Sequence, residues 1–187
     1  MDQARLVKVS KYLARHLRHA PDRIGLVLDD AGWVDVEDLL AACRAHGFRL
    51  TRAELDEVVR RNDKRRYAYD PTRRRIRASQ GHSVPVDLGL PPAAPPPLLF
   101  HGTTTASLPA ILADGLRPMR RLAVHLSPDV VTAERVGRRH GRPAVLAVDA
   151  AAMARDGHVF TVSANGVWLV DAVPASHLRQ AGTVQRL

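Results

Sequence analysis

Six of the chain's thirteen prolines fall within residues 84–97, and this stretch limits what the whole sequence can fold into. Proline lacks a backbone N–H and fixes φ, so neither a helix interior nor a central strand can run through positions 91, 92, 95, 96 and 97. The stretch reads as a semi-rigid linker between an N-terminal lobe over residues 1–83 and a C-terminal lobe over 98–187. A chain of 187 residues has room for one domain or two small ones.

In the first lobe, Leu6, Val9, Leu13 and Leu17 form one apolar stripe, which predicts an amphipathic helix over 4–18. Ala20-Pro21 limits its continuation. The run from Val34 to Leu40 opens a second helix, with Asp35 as N-cap, Asp38 in the first turn and Gly47 closing it. Thr51 followed by Glu54 is a capping-box pattern and starts a third helix, reaching to about Arg61. Residues 66–69 and 75–78 alternate like strands about the turn Asp70-Pro71-Thr72-Arg73. Three helices followed by a hairpin are the parts of a winged-helix module, common in nucleic-acid recognition.

The second lobe alternates short strand and helix signals. Strands are expected over 98–102, 123–126 and 144–148, with a hairpin of 159–162 and 166–170 about Ala164-Asn165. A helix over 106–113 stops at Gly115, and a second starts with Ser127 as cap and Pro128 in its first turn. The whole reads as α+β. It contains neither a Gly-x-Gly-x-x-Gly motif nor a Gly-Lys-Thr/Ser phosphate loop.

The formal net charge is +9, with 18 Lys and Arg against 12 Asp and Glu in residues 1–80. Nearly all the cations are arginine, whose planar fork binds phosphate bidentately, and the positive field favours a polyanion such as RNA or DNA. The single cysteine, Cys43, excludes an internal disulfide and reads as a buried helical thiol. His16 and His19 have the spacing of a metal pair but lack further ligands, so no metal is expected. No apolar run approaches a membrane span, and the first residues lack the apolar stretch of a signal peptide. The expectation is a cytoplasmic protein, monomeric by default, with no membrane association and no obligate protein partner.

His101-Gly102-Thr103 and Val124-His125-Leu126-Ser127 each place a histidine at the end of an expected strand, with a glycine that permits close backbone approach. Such a pair suits a dinucleotide, and the arginines nearby suit a phosphorylated reactant. The pattern points towards an enzyme that uses NAD on a nucleic acid. Taken singly, these residues have plainer readings: Arg18-His19 as a helix C-terminal cap, Arg73-Arg74-Arg75 as a solvated run, and each histidine as a satisfied core residue.

Their co-occurrence in order resembles the NAD-dependent RNA (tRNA) 2'-phosphotransferase family, of the KptA type. The match runs through Ser10-Lys11-Tyr12-Leu13, Leu17-Arg18-His19, Asn62-Asp63-Lys64-x-Arg66-Tyr67 and Ile76-Arg77-Ala78-x-Gln80-Gly81-His82-Ser83. It continues through His101-Gly102-Thr103, Gly115-Leu116-x-Pro118-Met119-x-Arg121, Val124-His125-Leu126-Ser127 and Asn165-Gly166-Val167-Trp168-Leu169. The resemblance implies a winged-helix-like RNA lobe and an ADP-ribosyltransferase-like NAD lobe of short strands and helices. It implies removal of an internal RNA 2'-phosphate by transfer to NAD, which is consumed as co-substrate. The route passes through a 2'-phospho-ADP-ribosyl RNA. It yields RNA 2'-OH, nicotinamide and ADP-ribose 1'',2''-cyclic phosphate.

The family's catalytic tetrad falls on Arg18, His19, Arg66 and Arg121. Its NAD-site positions fall on His101, Gly102, Thr103, His125, Leu126, Ser127 and Val167, the last where protein-modifying relatives carry a glutamate. Lys64, Arg65, Gln80, His82 and Ser83 are the expected contacts to a 2'-phosphorylated, tRNA-like RNA. Ala123 and Arg120 depart from the family pattern, where His and Ser are common. Two alternatives share much of the evidence: NAD-dependent ADP-ribosylation of terminal phosphates of RNA or DNA, and a winged-helix DNA-binding regulator.

Overall fold

The chain folds as a mixture of helices and small antiparallel sheets, seen in a computed structural model that describes residues 1–62 and 64–181. It divides into two compact units, Met1–Gly89 and Leu90–Leu187.

In the first unit, α1 (Gln3–His16) begins at Asp2, whose carboxylate accepts from Arg5 N. The stripe expected from sequence turns inward, with Val9, Leu13 and Leu17 fully buried. α2 (Val36–Ala45) is capped by Asp35, which accepts from Glu37 N. α3 (Arg52–Arg61) starts with the full Thr51/Glu54 capping box. The hairpin of β2 (Tyr67–Tyr69) and β3 (Arg75–Ala78) is joined by a two-residue strand not foreseen in the sequence, β1 (Val34–Asp35), giving the order β1-β3-β2. Val34, read as part of the helix start, instead pairs with Ile76. Leu39, Leu55, Val58 and Ile76 complete the core, and the Tyr67 hydroxyl donates to the Ser10 carbonyl, tying β2 to α1.

In the second unit, β4 (Leu98–Thr104) pairs along its whole length with β6 (Pro143–Asp149), and β6 pairs in turn with β9 (Leu178–Gln180). A second sheet has the order β5-β8-β7, built from β5 (Val124–Leu126), β7 (Thr161–Val162) and β8 (Trp168–Val170). Three helices accompany them: α4 (Leu108–Asp114), α5 (Val130–Gly137) and α6 (Ala150–Arg155). Leu99, Val148, Met153 and Phe160 centre the core.

α5 corrects one reading. Its cap is Asp129, which accepts from Thr132 N, so Pro128 lies outside the helix. Ser127 does not cap because its backbone is already committed: its N–H donates to Phe100 O at 2.7 Å and its carbonyl accepts from Phe100 N at 2.9 Å.

The proline-rich stretch is held on both sides of the unit boundary. Asp87 N donates to Asp30 O at 2.7 Å, and Arg77 reaches the Leu88 carbonyl at 3.3 Å, both within the first unit. Ala93 N donates to Phe160 O at 2.8 Å and Ala151 N to Pro97 O at 3.2 Å, both within the second. Among the described residues, no helix is long and apolar enough to cross a membrane.

Candidate active-site clusters in the two units

The first cluster gathers where α1 gives way to a tight turn. His19 N donates to Arg15 O at 3.0 Å, which holds Arg18 and His19 just beyond the helix end. The segment after β3 returns to this point: Ser83 N donates to Arg18 O at 2.9 Å, and Ser83 Oγ lies 2.9 Å from His19 Nδ1. The turn before β2 arrives from the other side. Arg18 Nη2 reaches the Arg66 carbonyl at 3.5 Å, and that same carbonyl accepts from Ser79 N at 2.8 Å. Ser79 Oγ also donates to Arg65 O at 2.7 Å. Segments up to 64 residues apart are thereby fixed against one another.

His82 lies beneath this cluster. Only 2 % of its surface is exposed, and its Nε2 sits 3.4 Å from where a Cβ on Gly32 would stand. Burial pushes its pKa down to about 4, and the charges of Arg18, His19 and Arg77 push the same way. His82 is thus a neutral, internal group that registers a positive field. It does not offer an exposed contact. Arg77 was legible in the sequence only as a strand residue. It is half-buried with its guanidinium 4.4 Å from the Trp33 ring, and it adds to that field. Lys64 and Arg65 are exposed, Gln80 is half-buried, and Arg65 takes φ +41° in a turn where its N–H donates to Asn62 O.

The second cluster belongs to the β4–β5 neighbourhood. His101 Nδ1 lies 3.1 Å from the His125 carbonyl, and His125 Nδ1 lies 2.9 Å from the Ala123 carbonyl. A carbonyl only accepts, so both rings carry hydrogen on Nδ1. Burial holds the His101 pKa below its ordinary value; the His125 carbonyl opposes this, and the Arg121 charge adds to the lowering. The neutral His101 ring therefore presents Nε2 as an acceptor. Arg121 is exposed, placed by a turn in which its N–H donates to Pro118 O at 3.0 Å.

Other residues of this group serve through the backbone or through packing. Leu126 is 1 % exposed, so its side chain is core. Thr103 pairs with Ala144 in the sheet. Val167 N donates to Ser163 Oγ at 3.2 Å in the turn before β8. Gly102 needs its missing Cβ for a reason not visible in the sequence: the added atom would stand 1.8 Å from Ala133 O, so the space is taken by α5 and not left open for a ligand.

A family model described as "RNA 2'-phosphotransferase, Tpt1 / KptA family" matches residues 4–172. A protein of Streptomyces coelicolor named "Probable RNA 2'-phosphotransferase" is 65% identical over 179 residues, covering 96% of this chain and 97% of its own. Proteins of the same name from Agrobacterium fabrum and Trichormus variabilis are 58% and 55% identical. They cover 90% and 95% of this chain and 91% and 98% of their own.

Proposed function

Because the chain belongs to the RNA 2'-phosphotransferase family, we propose that it removes an internal 2'-phosphate from RNA by transferring it to NAD, releasing RNA 2'-OH, nicotinamide and ADP-ribose 1'',2''-cyclic phosphate. In this reading the first unit is a winged-helix-like RNA lobe and the second an ADP-ribosyltransferase-like lobe that holds NAD. The phosphorylated substrate is a tRNA-like RNA in the cytoplasm. The observation that carries it is the meeting of Arg18 and His19 with the Arg66 backbone and the returning Ser83, over a histidine kept neutral by burial.

The chemistry asks little acid–base help at the start. A 2'-phosphate has its second pKa near ~6, so it is largely dianionic at neutral pH and is itself the nucleophile. NAD supplies the electrophilic ribose carbon and a leaving group that departs neutral. The chain's share is positioning and charge compensation. We assign Arg18, Arg66 and Arg121 to the phosphate oxygens, a role suited to the guanidinium fork. His19 is the member of the tetrad whose ordinary pKa permits proton transfer. Ser83 engages its Nδ1, so Nε2 is the atom assigned to take a proton from the neighbouring ribose hydroxyl as it bonds to phosphorus, and to return one to the RNA 2'-oxygen as its bond to phosphorus breaks.

On the NAD side, the fit rests on His101. A neutral ring with Nδ1 committed to a backbone carbonyl offers an Nε2 acceptor, which matches a ribose hydroxyl donor. His125 is held in the same tautomer by Ala123 and is assigned beside it, with Thr103, the Leu126 and Ser127 backbone, and Val167 as neighbours. Gly102 takes a packing role in this scheme.

The test is to incubate the protein with NAD and a short RNA bearing one internal 2'-phosphate, then resolve RNA and nucleotide products. We expect dephosphorylated RNA and the cyclic phosphate, only when NAD is present. Arg66→Ala and Arg121→Ala should each lose about 2–4 kcal/mol of transition-state stabilisation. In single-turnover assays His19→Ala should spare nicotinamide release and block release of the RNA hydroxyl. An ADP-ribosylated RNA that persists with the unaltered protein would overturn the transfer reaction in favour of phosphate capping. Binding of duplex DNA with no NAD turnover would overturn the enzyme reading.

A further inference from the structure

A groove of about 510 Å³ runs beside the first cluster, between α1 and the turn that follows α3. Its size falls within the ~300–1,000 Å³ of ligand clefts. Arg66 is among its lining residues, and Ala14, one helical turn before Arg18, lies on the α1 wall, so the groove and the cluster share neighbouring stretches of chain. Lys11 and Lys64 stand along it, both exposed, while Leu6 and Val7 supply an apolar wall. Arg61 also lines it, but its guanidinium is engaged by Glu57 and the Met1 carbonyl.

Asn62 is the unusual member. Only 8 % of it is exposed; its Oδ1 accepts from Lys64 N at 3.2 Å, yet its Nδ2 has no hydrogen-bond partner among the described residues. A buried amide nitrogen without an acceptor is costly, and Asn62 lines the groove from which an acceptor could approach it. An amide donor, two lysines and an apolar wall lining one groove are complementary to a phosphodiester joined to a ribose.

The geometry points to this groove as the seat of the RNA strand next to the 2'-phosphorylated nucleotide, with Asn62 Nδ2 and Lys11 holding a backbone phosphodiester there. The inference rests on the reading of Arg18, His19 and Arg66 as the reacting-phosphate site, and extends it by a neighbouring nucleotide. Short RNAs and longer ones should therefore differ in affinity, and the difference should reside in residues outside the tetrad.

The experiment titrates labelled single-stranded RNAs against the full chain by fluorescence anisotropy at several salt concentrations. The probes are a dinucleotide and a six-nucleotide RNA, each with an internal 2'-phosphate, and the six-nucleotide RNA without it. The longer RNA should bind about tenfold tighter than the dinucleotide, the scale of one charge-assisted hydrogen bond. Lys11→Ala and Asn62→Asp should each erase most of that gain, and Lys11→Ala should lower the salt slope by about one. Asn62→Asp keeps the acceptor for Lys64 N but buries a carboxylate, so its fold is checked by melting; Lys11 is exposed, and Lys11→Ala should melt like the parent and decides the question by itself. Arg44→Ala on α2, outside the groove, makes the same change in net charge and should keep the gain.

If the longer RNA gains nothing, or if all three variants behave alike, the groove assignment is overturned. If the groove variants weaken the longer RNA equally with and without its 2'-phosphate, and that phosphate itself adds no affinity, the groove stands and the phosphate-site reading fails.

Discussion

His82 shows how much one side chain can report about its surroundings. Its folded-state pKa of about 4 lies below the ordinary 6.5, so the native protein holds it neutral while the unfolded chain would protonate it. Its contribution to stability is therefore complete above about pH 6.5 and is lost as pH falls towards 4. Glu54 behaves as a separate case: its hydrogen bond with Arg5 holds it down to about 2, so its contribution is present above 4.5 and disappears as pH falls towards 2. Melting temperature followed from pH 7 to 4 should fall in the parent. His82→Gln should flatten that part of the profile while keeping the fall at lower pH. An unchanged slope between 6.5 and 4 would remove His82 as its origin. In the sequence, His82 read as a member of a polar loop and a candidate RNA contact; nothing local announces that Gly32, fifty residues earlier, will close over it.

At the scale of elements, the features legible in advance were those set by a few neighbouring residues. Asp35 and Thr51 cap as their side-chain chemistry dictates, and the Asp70-Pro71 turn joins the two strands that alternate on either side of it. The short strands β1 and β9 were not legible, because two or three residues carry no period and owe their conformation to pairing with β3 and β6. Ser127 lost its capping role to Asp129 for the same reason, a backbone partner 27 residues away. The β4–α5 contact is likewise invisible locally. Two glycines meet there: a Cβ on Gly137 would stand 2.4 Å from Thr103 O, and one on Gly102 closer still to Ala133 O. Backbone cannot yield as a side-chain tip does, so Gly102→Ala should cost about 3 kcal/mol or more in denaturant unfolding. A loss under about 1 kcal/mol would mean that the helix moves freely on the strand.

For the whole molecule, charge is the property that acts at a distance. A net charge of +9 on 187 residues should draw any polyanion, and it was plain in the composition. What composition could not supply was the gathering of Arg18, His19, Arg66 and Ser83 from three stretches of chain, since that depends on the return of the backbone after β3. The field predicts a contrast between the two proposed reactants. Raising salt from about 50 to 200 mM should increase KM for a 2'-phosphorylated RNA steeply, by counterion release, and KM for NAD only slightly. Equal sensitivity of the two would argue against an extended RNA contact.

The boundary between the units also has a consequence in time. Every strand pairing of the first unit is closed by Ala78, and its last described ties lie at Leu88 and Gly89. The second unit cannot complete its first sheet until β9, at Leu178–Gln180, has been made. At about 5–20 residues per second, the 91 residues from Leu90 to Gln180 occupy the translating machinery for roughly 5–18 s. During synthesis the cationic unit, groove included, is thus finished seconds before its successor, and it enters a crowded, RNA-rich surrounding with its charge already displayed.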